Sequence, residues 1–556
     1  MVATKRLDSP AQAFPRALRV VAAALLATWL APTAPAQLQP PPQPPENPVT
    51  AAKVVLGKAL FWEEQLSSDN TIACGTCHRP AQGGADPRFA ALPGADGLLG
   101  TQDDLFGSPG VRRSDAGNAF EPDPWHGFEP QVTGRNSPSF LMAAWGNELF
   151  WDGRAATTFV DPVTGLQLIA SGGALESQSM GPPLSSVEMA HSARDFTEVI
   201  AKLAAARPLA LASNLTPDLE AALAIDPTYP ELFEAAFGDP QVTAARIAFA
   251  IASYERALIP DDTAWDRFKR GDSAALTPAQ QRGAQLFAGK AKCDKCHALP
   301  SHSDGGFHNI GLRDPTLDPG RAEITGNPDD RGKFRTPSVR NAVLRPRFMH
   351  TGQFTTLDEV VAFYERGGDF SDNLDPFMNA INLSSQERAD LLDFLVNGLV
   401  DPRVAAESAP FDRPQLWSDR ASNHPIPYGS GFAGSGGFIP ELLAPVPANV
   451  GNVDFKFGLV KALGGSVALT LVGLAPAAPG ATLKAAPLHV DLGQLVVALL
   501  VPTLGSGAGA GYASIVAELP DDPALIGSSF HVQWFVADRG AVGRLAATAA
   551  VEYQLF

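Results

Sequence analysis

Two short segments hold all four cysteines of this 556-residue chain. They are Cys74-Gly75-Thr76-Cys77-His78 and Cys293-Asp294-Lys295-Cys296-His297, the same Cys-x-x-Cys-His spacing twice. Two thiols one turn apart can add to the two vinyl groups of one haem while the adjacent imidazole reaches the iron, so each segment supplies a tether and an axial ligand. The pattern predicts two covalently bound c-type haems. Tetrahedral zinc would use the thiols without needing a histidine after each pair. A thioredoxin-like site needs one pair in a βαβ setting, and a disulfide across two residues is strained and leaves His78 and His297 unexplained.

The elements that must position these groups also repeat. Leu56-Gly57-Lys58-Ala59-Leu60-Phe61 before the first motif has an echo in Arg282-Gly283-Ala284-Gln285-Leu286-Phe287 before the second, which reads as an internal duplication of a haem-binding unit. The second copy has its start signal, Thr277 as N-cap and Pro278 at N1. Residues 79 to 134 are rich in Gly, Pro and Asp and read as an extended surface loop, whose Asp96, Asp103 and Asp104 have the chemistry of calcium ligands but are better accounted for by a solvated acidic loop. Residues 195 to 258 read as helices. Capping boxes at Thr356/Glu359 and Ser384/Glu387 open two more, which stop at Gly367-Gly368 and Asn397-Gly398. Past Phe438 short apolar runs alternate with Gly- and Pro-rich turns.

The expected fold class is therefore multidomain: two mainly α cytochrome c-type haem domains, 51–270 and 271–405, then a linker, 406–437, and a small all-β sandwich-like C-terminal domain, 438–556, without cysteines and read as an accessory or interaction domain. Lys5, Arg6, Arg16 and Arg19, the apolar run Val20 to Leu30 and Ala34-Pro35-Ala36 predict a cleavable signal peptide, 1–36, and hence a periplasmic or otherwise exported protein. That run is too short to span a bilayer. A Pro-rich linker, 37–50, follows. The net charge of −17 argues against nucleic acid or anionic lipid as partner and suits a basic redox protein.

What occupies the sixth position on each iron separates electron transfer from peroxide chemistry. In 357–366, Leu357, Val360, Val361 and Tyr364 form one inward stripe. On pattern alone, a core tyrosine bonded to backbone accounts for Tyr364. Met349, Met378 and His350 are further candidate ligands.

Several longer stretches carry a resemblance: Arg135-Asn136-Ser137-Pro138-Ser139, Phe150-Trp151-Asp152-Gly153-Arg154-Ala155-Ala156, Val187-Glu188-Met189, Phe334-Arg335-Thr336-Pro337-Ser338-Val339-Arg340-Asn341 and Phe348-Met349-His350-Thr351-Gly352. With the two haem motifs in this order, the chain from Leu56 to about Leu399 resembles the bacterial dihaem cytochrome c peroxidases and MauG. The resemblance implies a peroxidatic haem on His78, an electron-entry haem on His297, Trp151 as the relay between them and Glu188 as the distal acid. Asn136 matches a ligand of an inter-domain calcium ion, with main-chain carbonyls near Arg345 and Arg347 as its companions; the two arginines depart from the family pattern.

Counting fourteen positions on from His350, where the conventional peroxidases place a methionine ligand, arrives at Tyr364; MauG-like proteins have tyrosine there. The resemblance thus reverses the pattern-based reading and makes Tyr364 the sixth ligand of the His297 haem. His126-Gly127-Phe128 is similar to the surroundings of the histidine that closes the peroxidatic haem in many resting enzymes, but it stands further from Arg135 than the family spacing, which favours a site open from the start. The expected activity is reduction of hydrogen peroxide with electrons from a small donor, a c-type cytochrome or a blue copper protein. The alternatives are a MauG-like oxidase acting on a protein side chain and, from another class, a non-catalytic electron-transfer or binding protein.

Overall fold

The computed structural model describes residues 38–225, 227–420 and 425–556. The expected signal peptide lies outside the described residues, and among them no helix is long and apolar enough to cross a membrane.

Helices and several small sheets build a multidomain chain. The duplicated hexapeptide lies in helices Ala51–Phe61 and Pro278–Ala288, and its glycine explains the repeat. A Cβ on Gly57 would stand 1.9 Å from the carbonyl oxygen of Ala250, and one on Gly283 would stand 2.1 Å from that of Asp390. Each helix therefore crosses a later one at backbone contact: Ala244–Ala257 for the first copy, Ser385–Asp393 with its continuation Phe394–Gly398 for the second. Both second-half helices begin as the caps predict, Thr277 accepting from Gln280 N and Ser384 from Glu387 N. The run 195 to 258 forms Phe196–Ala205, Pro217–Leu223, Tyr229–Phe237 and Ala244–Ala257, whose apolar faces enclose one core around Leu60, Trp62, Phe233 and Ile251.

Among the described residues the C-terminal strands form two larger antiparallel sheets and a short hairpin, Thr482–Leu483 with Ala486–Pro487. One is three-stranded, with Lys456–Gly464 between Glu441–Leu443 and Gly507–Val516. The other runs Leu495–Pro502, Val467–Gly473, Ser529–Ala537, Ala550–Gln554, Ile426–Tyr428, with Leu545–Ala547 also paired to Ser529–Ala537. Phe457 and Leu459 from the first sheet and Val532, Trp534 and Tyr553 from the second share a core.

Three segments differ from expectation. The Pro-rich stretch before Thr50 is not a free linker: Asn47 is fully buried and its amide donates to Glu176 Oε1 at 2.8 Å and to the Phe249 oxygen. Residues 406–437 are not a free linker either. Phe411 and Leu416 insert into the N-terminal core, Glu64 accepts from the main-chain nitrogens of Trp417 and Ser418, and Ile426–Tyr428 is already a strand of the larger sheet. Nor is 79 to 134 only a surface loop, because it contains the hairpins Ala90–Leu92 with Leu105–Gly107 and Pro109–Arg112 with Pro130–Val132, and Phe120 is buried in the β core. Segments too polar or too rich in proline to form a core of their own can still bury isolated apolar side chains in someone else's.

Candidate functional site

Each Cys-x-x-Cys-His segment opens on a cavity. The first, about 680 Å³, is lined by Cys74, Cys77, His78, Glu188, Trp151 and Arg335. The second, about 200 Å³, is lined by Cys293, Cys296, His297, Tyr364, His350 and again Trp151. All four cysteines are free thiols, so no disulfide competes for them. His78 Nδ1 is 3.1 Å from the Gly84 oxygen and His297 Nδ1 is 3.3 Å from the His302 oxygen, an arrangement that leaves each Nε2 as the nitrogen available to a metal. Burial lowers the pKa of both rings, so both are neutral and can ligate at neutral pH.

The polar atoms left over between the cavities test whether haem fits. Arg345 is half-buried and forms no ion pair among the described residues, and loss of hydration alone pulls its pKa to about 10. Arg335 lines both cavities, is likewise pulled to about 10 by burial, and its Nε has no partner. Burial drives His350 down to about 3, and its Nε2 is also unpartnered. Cations buried without anions beside paired thiols and an imidazole suit a cofactor that brings vinyl groups, an iron and two propionates, and so the residues fit haem in both cavities.

Trp151 stands where the two cavities meet. Its Nε1 donates to the Asn136 oxygen at 2.7 Å, and its own oxygen accepts from Arg335 N at 2.7 Å. The following Asp-Gly turn needs its glycine: Gly153 has φ +77°, and a Cβ there would meet Arg321 Nη1 at 2.1 Å. Arg154 lies over the Phe150 ring at 3.6 Å beside the first cavity. Glu188 faces that cavity from a turn closed by hydrogen bonds from Glu188 and Met189 N to the Ser185 oxygen. Burial raises its pKa above the usual carboxylate range, against the Ser185 hydroxyl and the Arg154 charge.

Tyr364 lines the second cavity from helix Leu357–Arg366. Its hydroxyl makes no hydrogen bond among the described residues, which removes the backbone-bonded core reading, and burial with the nearby Cys293 and Cys296 thiols raises its pKa. Met349, Met378 and His350 line the same cavity. His126 does not line the first: its Nε2 is 2.9 Å from the Ala91 oxygen and its Nδ1 is 3.2 Å from Asp123 Oδ1.

The expected calcium ligands are arranged differently from the expectation. The Asn136 amide donates to the oxygens of Arg347 and Met349, at 3.2 and 3.1 Å, rather than Arg345 and Arg347. Arg345 Nε donates to the same Arg347 oxygen, and its Nη2 to the Ser137 oxygen at 2.7 Å. A divalent cation at this place would face the Arg345 guanidinium, and no chemistry is drawn from one here.

Sequence reasoning gave no role to Arg335, although it lies inside a quoted motif, nor to Glu255. The Glu255 carboxyl faces the first cavity and is pushed up to about 8 by burial. It sits at the end of an Ala-rich helix with no pattern to distinguish it from a surface acid.

Residues 51–274 match the family model described as di-haem cytochrome c peroxidase. Cytochrome-c peroxidase IdrP1 of Pseudomonas sp. (strain SCT) is 31% identical over 393 residues, covering 65% of this chain and 84% of that protein. Methylamine utilization protein MauG of Methylorubrum extorquens is 30% identical over 389 residues, covering 67% and 84%. Among solved structures, a MauG-like protein associated with microbial copper homeostasis aligns with TM-score 0.48 and 28% identity, over 69% of this chain and 97% of that one. By its paired motifs and its similarity to these two curated relatives, the chain belongs to the di-haem cytochrome c peroxidase family of oxidoreductases.

Proposed function

We propose that this protein is an exported peroxidase that reduces hydrogen peroxide to two molecules of water, consuming two electrons from a small redox protein and two protons. The observation that carries the reading is the placement of Glu188 in the same cavity as Cys74, Cys77 and His78, with Trp151 shared between that cavity and the second. Haem bound in both cavities would supply one-electron carriers and an iron at which peroxide can bind. Cys74, Cys77 and His78 would hold one, and Cys293, Cys296, His297 and Tyr364 the other.

The chain's own residues do the rest. The Glu188 carboxylate accepts the proton of the near peroxide oxygen and returns it to the far one, which leaves as water. A raised pKa suits that exchange, because an acid poised closer to neutral pH both takes and gives. Arg335 and Arg345 would hold the propionates. Trp151, tied at its indole and its carbonyl, gives electrons a rigid aromatic bridge. His126, with both ring nitrogens engaged away from the cavity, supports a His78 site open to peroxide without prior rearrangement. The reading of residues 1–36 as a signal peptide supports export, where c-type haems are attached.

A second reading, a MauG-like oxidase that withdraws electrons from a protein side chain, is favoured by the unpartnered Tyr364 hydroxyl at the second cavity, since an oxygen ligand lowers an iron potential relative to a thioether. One experiment separates the readings. The matured protein is mixed with stoichiometric peroxide and then supplied with a reduced small cytochrome c. Turnover of the cytochrome selects the peroxidase, a spectral change without turnover selects the oxidase, and no change in either Soret band sinks both.

A further inference from the structure

The β sheets contribute no side chain to either cavity, yet one of their residues is wired to the turn that carries Glu188. Lys456, on strand Lys456–Gly464, is 1% exposed and forms no ion pair among the described residues. Its Nζ donates to Ser114 Oγ at 2.8 Å and to Asn118 Oδ1 at 2.6 Å, and lies 4.5 Å from the centroid of the Phe120 ring. Ser114, Asn118 and Phe120 are buried too, Phe120 among the apolar side chains of the β core, where its main-chain nitrogen donates to Ser514 Oγ. Burial lowers the lysine to about 8, so the ammonium still carries its charge at neutral pH.

From that ammonium two chains of hydrogen bonds lead to opposite sides of one turn. Asn118 Nδ2 donates to the Ser68 oxygen at 2.9 Å, and Ser68 N donates to the Met189 oxygen at 2.8 Å. On the other side, the Ser114 oxygen accepts from Ser192 N at 3.1 Å. Between them, Val111 N donates to the Glu188 oxygen, and Gly110 packs so closely that a Cβ there would lie 1.9 Å from the Val187 oxygen and 2.9 Å from Glu188 Cα. Segment 109–120 is thus a strap with one end on the β core and the other on the backbone of Glu188. A polar network in which every member is satisfied holds a single geometry, and removing one charged donor leaves its acceptors buried and unpaired.

We propose that Lys456 is a positioning residue for Glu188, and that the C-terminal sheets serve the peroxide site by clamping the strap 109–120 over it. The proposal rests on the reading of Glu188 as the proton carrier.

The test uses the full chain with both haems attached. In Lys456→Met, which keeps the apolar stem and removes the ammonium, amide exchange in peptides covering 185–192 rises on the order of tenfold, the loss of one charge-assisted hydrogen bond. Helix Tyr229–Phe237 keeps its protection. A looser turn hydrates Glu188 and returns its pKa towards the ordinary value, so the acid limb of kcat/KM for peroxide moves to lower pH. Asn118→Asp preserves the acceptor for Lys456 but replaces the donor to Ser68, so it loosens the Met189 side alone; it also carries the test if Lys456→Met fails to accumulate. Unchanged exchange in the variants overturns the proposal, and so does faster exchange with an unmoved acid limb. Exchange does not depend on what Glu188 does, whereas the limb lost in Glu188→Gln tests its role, so the two failures are distinguishable.

Discussion

The rings of Trp151 and His350 meet edge to face with centroids 6.0 Å apart, and His350 in turn stacks on Phe334 at 3.6 Å. This aromatic row lies where the two cavities adjoin, and Trp151 is the member that lines both. Trp151→Phe keeps an aromatic ring but loses the indole hydrogen bond to Asn136, worth about 1 kcal/mol. Peroxide turnover with reduced cytochrome c should fall by about tenfold or more, the rate equivalent of 1.4 kcal/mol, while both Soret bands stay in place. Rapid mixing measures the step directly; an unchanged electron-transfer rate between the haems takes Trp151 out of the path.

The proposed role of Glu188 as proton carrier implies a pH dependence. As a base it would act in its ionised form, and burial sets its pKa above the ordinary 4.5. Activity is therefore full above that raised value and is lost as pH falls through it. Glu188→Gln, nearly isosteric and unable to exchange a proton, should lower kcat/KM for peroxide by about 10²–10⁴-fold and abolish the acid limb. A pH profile of the two proteins checks both statements at once.

Tyr364→Phe removes only the hydroxyl that faces the second cavity. The expected result is an altered absorption and electron paramagnetic resonance spectrum for one haem and an unaltered one for the other. Tyr364→Met should raise the potential of the same haem, because a thioether favours reduced iron more than an oxygen ligand does. Potentiometric titration gives the answer, and a spectrum identical to the parent protein's removes Tyr364 from the coordination sphere.

Asn136 joins the two halves through hydrogen bonds to the Arg347 and Met349 oxygens. Exhaustive chelation should leave the spectra, the turnover and the melting temperature where they were. Asn136→Ala takes a donor from the Met349 carbonyl and leaves that of Arg347 only the Arg345 guanidinium, and should cost about 1–3 kcal/mol in a denaturant titration. Loss of activity on chelation, restored by calcium, would show the amide to be a stand-in for the ion.

Local chemistry was legible in the residues themselves. Two Cys-x-x-Cys-His segments point to haem because the residues able to tether and ligate it lie within five consecutive positions, and Thr277, Thr356 and Ser384 announce their helices because a cap satisfies donors only three positions away. The stripe of helix Leu357–Arg366 likewise turned Tyr364 inward. What Tyr364 and Glu188 face was not contained in those patterns. Only the fold shows that Ala244–Ala257 closes the unit begun at Ala51, that Trp151 and Arg335 serve two cavities, and that His126 turns to Ala91 and Asp123. Only the fold, too, buries Phe120 and Lys456 against each other across more than three hundred residues of chain. Burial of apolar surface is non-directional and indifferent to separation along the chain, and a buried polar group accepts any partner of suitable geometry. Neither leaves a periodicity or a motif behind, and so the wiring of this site had to be decided by the tertiary structure.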